Sequence, residues 1–138
     1  GLRLNADLPK NGSFECSNPM LNKLNEVLDY TFLSNVFSVQ SDCPAREKFG
    51  YGGDIVGVAR TFCWFYDMEN FYRKAIRDFA NDQRPSGGMT ETAPFNGIAD
   101  KGLGEDSGPI GWQLALCRNN YMIIMATWKR SKPTIRPS

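Results

Sequence analysis

The sequence predicts an all-α fold, and three observations predict it. Apolar residues recur at three- and four-residue spacing in three separate stretches. No convincing alternation of apolar and polar residues, the mark of a strand, follows residue 9. Glycine and proline collect between the stretches, in residues 37–53 and 84–108. Helices joined by one short and two long loops fit a bundle, a helical repeat or an α/α toroid. Unequal helix lengths without a repeated signature argue against a tetratricopeptide or ankyrin array.

Residues 1–9 (GLRLNADLP) alternate weakly and stop at Pro9, so they read as a short extended segment or linker, and the turn pair Asn11-Gly12 follows. Ser17 or Asn18 is placed to cap a helix whose first residue, Pro19, has no N–H to leave unsatisfied. Leu21, Leu24, Leu28, Phe32 and Val36 then predict a helix over about 19–36. Ser, Pro44 and three glycines make 37–53 a loop, with Asp54 at the expected N-cap of a second helix over about 55–66. Ile55, Val58, Ala59, Phe62 and Phe65 mark its apolar positions. Asp67 caps a third helix over about 68–83, with Phe71, Ala75 and Phe79 on one face. Residues 84–108, with six glycines and two prolines, form a long loop of functional character, and Ile110–Leu116 opens a fourth helix.

Composition narrows the chemistry. At 138 residues, with 41% hydrophobic and 12% aromatic side chains, the chain is globular in type and about one domain long. A net charge of +1 gives no global reason to expect nucleic acid or a membrane as partner. No apolar run reaches the roughly 18 residues of a membrane span. The first residue is Gly rather than Met, so the true start is expected to lie upstream. Histidine is absent and no two of Cys16, Cys43, Cys63 and Cys117 have CxxC spacing. That excludes a Cys/His zinc site and His-based triads, and it reads the cysteines as buried thiols.

Carboxylates therefore become the focus, and residues 41–54 (SDCPAREKFGYGGD) hold three: Asp42, Glu47 and Asp54. Pro44 and the glycines allow a tight fold that gathers them. Glycoside hydrolysis needs one carboxyl that carries a proton to the leaving oxygen. Like charges nearby favour the protonated form, whereas Asp54 at a helix N-terminus is expected to stay ionised. On residue chemistry alone an ordinary capped loop is the better explanation of the cluster, with Asp42 closing a turn, Glu47 paired to Arg46 or Lys48 at the surface and Asp54 a plain N-cap.

DCPAREKFGYGGD resembles the signature of bacterial α-L-rhamnosidases, glycoside hydrolase family 78, whose pattern reads approximately Asp-Cys-Pro-x-Arg-Glu-Lys-x-Gly-Trp-x-Gly-Asp. GSFECSNPMLNKL resembles the start of that family's first barrel helix, FYRKAIRDFANDQRPSGGMTETAPF the stretch leading to a substrate-facing loop, and GPIGWQLAL a Trp-bearing helix start. The resemblance implies the N-terminal part of an (α/α)6 toroid over residues 11–116, with residues 1–10 leading in from a β-sandwich domain. It implies hydrolysis of terminal α-L-rhamnose from a glycoside or polysaccharide with inversion, and no cofactor. Glu47 matches the general acid. Asp42 and Asp54 match residues that bind the sugar hydroxyls, and Arg46, Tyr51 and Trp112 complete the expected sugar-binding set. Tyr51 stands where the family pattern has Trp, which keeps an aromatic platform, adds a hydroxyl and alters the subsite. A non-catalytic helical sugar-binding module and an α/α-toroid glycosidase for another sugar are the alternative readings.

The family's base lies on a later hairpin, so 138 residues are expected to carry the acid alone and to be inactive by themselves. The composition also breaks near residue 117: Arg118, Lys129, Arg130, Lys132 and Arg136 follow it and no acid does. Read one nucleotide earlier, Met122 before Ile123 forces Asp, Met125 before Ala126 forces Gly, and Trp128 before Lys129 forces Glu. A family-like continuation then emerges, which predicts a frameshifted tail over 117–138.

Overall fold

A computed structural model describes residues 4–97, and they are mostly helical. Helix α1 spans Pro19–Asn35. Asn18 is its cap, accepting a hydrogen bond from the Met20 N–H at 2.9 Å, with Pro19 in the first turn as its missing N–H predicts. The helix ends where the β-branched Val36 turns extended. Val36–Phe37 (β1) and Val39–Gln40 (β2) then pair antiparallel, with Val36 opposite Gln40 and Phe37 opposite Val39. Ser38, at φ 64°, makes the reversal. The loop expected over 37–53 thus starts with a small hairpin.

Helix α2 spans Gly52–Phe65, starting three residues earlier than its apolar pattern suggests. Tyr51 occupies the cap position and makes no side-chain cap bond, so Asp54 lies inside the first turn and is not the N-cap. Helix α3 spans Glu69–Asn81. Its N-cap is Met68, which makes no side-chain cap bond; Asp67, expected as the cap, stands one residue earlier, where its Oδ1 accepts from the Glu69 N–H at 3.1 Å. The fourth helix expected at 110–116, Trp112 and the tail lie outside the described residues.

The core forms where the three helices and the hairpin meet. Phe32 of α1 packs on Phe62 and Phe65 of α2, with ring centroids 4.2 and 4.9 Å apart. Val36, Met68 and Phe79 are at most 1% exposed. The apolar stripe of α1 divides: Phe32 is buried and Leu28 packs against the core, whereas Leu21 and Leu24, with Met20, Val27 and Tyr30, are exposed. In α2, Ile55 and Phe62 are buried and Val58 is not.

The N-terminal segment laces these elements together. Ala6 N–H donates to Val36 O (2.8 Å), Asn11 N–H to Phe65 O (2.9 Å) and Asp67 N–H to Pro9 O (2.8 Å). Lys10 pairs with Asp29 of α1 at 2.9 Å, and the buried Tyr66 donates its hydroxyl to the same carboxylate. Lys74 of α3 bridges Asp78 and the Ser38 carbonyl, fixing the hairpin to α3. Cys63 is buried, and burial pushes its thiol up to about 11. Cys16 and Cys43 are half-buried free thiols, more open than the buried thiols expected from the sequence. Among the described residues no helix is long and apolar enough to cross a membrane.

Candidate active site: the carboxylate loop between β2 and α2

The loop between β2 and α2 is closed on itself by a double clasp. Asp42 N–H donates to Phe49 O at 3.1 Å, and Phe49 N–H returns a bond to Asp42 Oδ1 at 3.0 Å. Inside the clasp, residues 44–47 form a turn, and Glu47 N–H donates to Cys43 Sγ at 3.2 Å. Lys48 adopts φ 62°, a left-handed conformation uncommon for a residue with a side chain, and reverses the chain toward Gly50.

A second contact anchors the loop to residues 90–93. Tyr51 and Thr92 form an isolated antiparallel bridge. Gly52 N–H donates to Glu91 O, and Ala93 N–H to Gly50 O, both at 3.1 Å. Gly50 is required by this close approach, since a Cβ there would lie 2.6 Å from the Ala93 carbonyl oxygen. Gln40, 2% exposed, ties the base of the loop down: its Nε2 donates to Asp54 O and its Oε1 accepts from the Tyr72 hydroxyl, each at 3.0 Å.

The predicted residues fall as follows. Asp42 is half-buried, Arg46, Glu47 and Asp54 are exposed, and Tyr51 is half-buried with its hydroxyl donating to Glu47 Oε2 at 3.0 Å. The four acid and phenol groups lie close enough to feel one another's charge. For Asp54, burial and then the charges of Asp42 and Glu47 raise the carboxyl above its ordinary value. That direction is opposite to the one expected from the helix dipole, because partial burial and two neighbouring anions outweigh a helix terminus. At Asp42 burial pushes upward, but bonds from the Cys43 thiol and from the Phe49 and Cys43 backbone outweigh it, and the carboxyl is lowered. The bond to Glu47 does most to raise the Tyr51 phenol, aided by burial and by the charges of Glu47, Asp42 and Glu91. Two carboxyls pushed in opposite directions within one loop suit different tasks, one an anion that accepts hydrogen bonds and one disposed toward its protonated form.

Sequence reasoning missed Gln40 and Glu91. Gln40 is a polar residue in an otherwise apolar hairpin, and that oddity was the available signal. Glu91 reaches the site only through pairing of segments some forty residues apart, for which the sequence carries no local mark. Among the described residues no three His, Cys, Asp or Glu side chains are grouped to hold a metal ion.

The carboxylate loop is mounted at the junction of the packed helices. The model of the bacterial alpha-L-rhamnosidase 6 hairpin glycosidase domain matches residues 9–127, and the chain belongs to that family. An alpha-L-rhamnosidase of Formosa agariphila is 38% identical over 82 residues, which are 59% of this chain and 9% of that protein. The crystal structure of the Streptomyces avermitilis alpha-L-rhamnosidase complexed with L-rhamnose is similar at TM-score 0.66 and 33% identity, over 69% of this chain and 9% of that one. The native enzyme of Aspergillus terreus is similar at TM-score 0.65 and 32% identity, over 80% and 13% respectively. The chain therefore spans about a tenth of the length of these relatives, and its helices are the N-terminal part of an (α/α)6 toroid.

Proposed function

We propose that this chain forms the acid-bearing part of a catalytic domain that releases terminal α-L-rhamnose from rhamnosides or rhamnose-containing polysaccharides with inversion. The observation that carries the reading is the folded loop, in which Glu47, Asp42, Tyr51 and Asp54 share one electrostatic neighbourhood in a chain of this family. Glu47 gives its proton to the glycosidic oxygen as the bond from C1 to that oxygen breaks. Water attacks C1 from the opposite face and gives its proton to a second carboxylate about 6.5–9.5 Å from the first. That base comes from a later part of the domain, so residues 1–138 alone do not turn over. Asp42, anionic and clasped, accepts from sugar hydroxyls, with Asp54, Arg46 and Trp112 completing the pocket and Tyr51 its aromatic wall.

The test is Glu47→Gln in the full-length enzyme. On alkyl rhamnosides kcat falls about 10²–10⁴-fold, and on an activated nitrophenyl rhamnoside, whose leaving group needs little protonation, the loss is much smaller. Small, equal losses on both substrates refute the assignment. Release of glucose in preference to rhamnose from synthetic glycosides refutes the substrate class. For residues 117–138 we propose a changed reading frame. The family match runs past residue 117 to residue 127, so the genomic sequence across that stretch decides between a shifted frame and a divergent continuation.

A further inference from the structure

Glu47 sits in an exposed turn, and a glutamate there samples several rotamers unless something holds it. A general acid must present one oxygen to the leaving group in a fixed direction, and small misplacements are costly in rate. The loop supplies a holder. Tyr51 stands on the anchored side of the loop, its backbone bridged to Thr92 and flanked by the Gly50–Ala93 and Gly52–Glu91 hydrogen bonds. Its ring makes an edge contact with Phe49 at 6.3 Å, and Phe49 belongs to the clasp with Asp42.

We propose that Tyr51 is a positioning residue for Glu47: its hydroxyl, bonded to Glu47 Oε2 at 3.0 Å, ties the acid in the exposed turn to the backbone anchored at the Thr92 bridge and leaves Oε1 to face the glycosidic oxygen. The proposal rests on the reading of Glu47 as the general acid. The bond to Glu47 raises the phenol above its ordinary value, which favours the protonated, hydrogen-bond-donating form. The family pattern has Trp at this place. An indole keeps the aromatic wall but carries its single donor on the ring, so it lacks an oxygen at the end of the side chain. The Tyr at position 51 thus adds a polar task to an apolar one.

The test compares Tyr51→Phe, Tyr51→Trp and Glu47→Gln in the full-length enzyme on an alkyl and a nitrophenyl α-L-rhamnoside. Phe keeps the ring and deletes the hydroxyl; Trp, the family's own residue, secures a folded comparison if Phe is poorly tolerated. Both are expected to lower kcat on the alkyl substrate roughly fivefold, as loss of one hydrogen bond from the rate-determining geometry implies. Whatever the change in KM at this pocket residue, the loss on the nitrophenyl substrate should be several-fold smaller than on the alkyl one. Equal losses on both substrates, a change in KM alone, or no change overturn the proposal. If Glu47→Gln is strongly leaving-group-dependent while both Tyr51 variants are not, the positioning role fails and the acid assignment stands. If Glu47→Gln shows no such dependence, both fall together.

Discussion

Gly50→Ala tests how the site is joined to the fold. The added Cβ would stand 2.6 Å from the Ala93 carbonyl oxygen and 3.2 Å from Val39 Cβ. The first is far inside ordinary contact and its partner is backbone, so the 91–93 segment must retreat. The two bonds that hold that segment are 3.1 Å long, near the end of the usual range of about 2.7–3.2 Å, so a retreat of about half an ångström breaks them. Two bonds at about 0.5–1.5 kcal/mol each, together with overpacking of about 1–3 kcal/mol, outweigh the roughly 0.4–1 kcal/mol that a Gly-to-Ala change recovers from the unfolded chain. A net loss of about 1–5 kcal/mol follows. Gly57→Ala is the control: it lies inside α2 with nothing within 4 Å of its Cβ position, and it should stabilise by about 0.5–1 kcal/mol. Urea unfolding reads both as shifts of the midpoint at constant slope. A Gly50→Ala midpoint at or above wild type would refute the reasoning.

Two further outcomes follow from the same loop. Gln40→Leu removes the buried bond to Tyr72 and the half-buried one to the Asp54 carbonyl, and should lower stability by about 1–3 kcal/mol, read from the urea midpoint; an unchanged midpoint would show that the loop base is held without it. Acid titration should separate the two aspartates. Asp42 is lowered, so its contribution is present above the unfolded value and is lost as pH falls through the folded one; Asp42→Asn should flatten the acid limb of the stability profile. Asp54 is raised, so its contribution is complete below the unfolded value and is lost as pH rises through the folded one. Asp54→Asn should then be more stable than wild type near neutrality, and identical midpoints for Asp54→Asn and wild type from pH 3 to 7 would overturn that attribution.

The parts legible in the sequence are those governed by local physics. Asn18-Pro19 announced α1, and the spacing of Phe62 with Phe65 and of Phe71 with Phe79 announced the cores of α2 and α3. The hairpin at 36–40 was hidden because two residues per strand leave no alternation to read, and its reversal depends on Ser38 in a left-handed conformation rather than on a glycine. The start of α2 was misplaced because Gly52 and Gly53 are poor helix formers. Their helical state rests on a tertiary bond, Gly52 N–H to Glu91 O, that no local pattern encodes. The exposure of Leu21 and Leu24 was equally invisible, since periodicity finds an apolar face without saying what covers it.

The direction of the Asp54 shift is the most informative departure from expectation. A carboxylate in the first turn of a helix is usually a stabilising feature, yet here burial and the charges of Asp42 and Glu47 raise its carboxyl above the ordinary value. An evolving loop selected for stability alone would have discarded one of the three acids, since surface substitutions that relieve such repulsion are easy to find. The surrounding fold instead over-determines the crowding. The clasp between Asp42 and Phe49, the glycine-dependent contact with Ala93 and the buried Gln40 each hold the loop against the repulsion of its own charges. A loop supported on three sides suits the proposed site better than it suits a solvated turn. It makes Asp54→Asn the variant in which a gain in stability should coincide with a loss of rhamnoside hydrolysis.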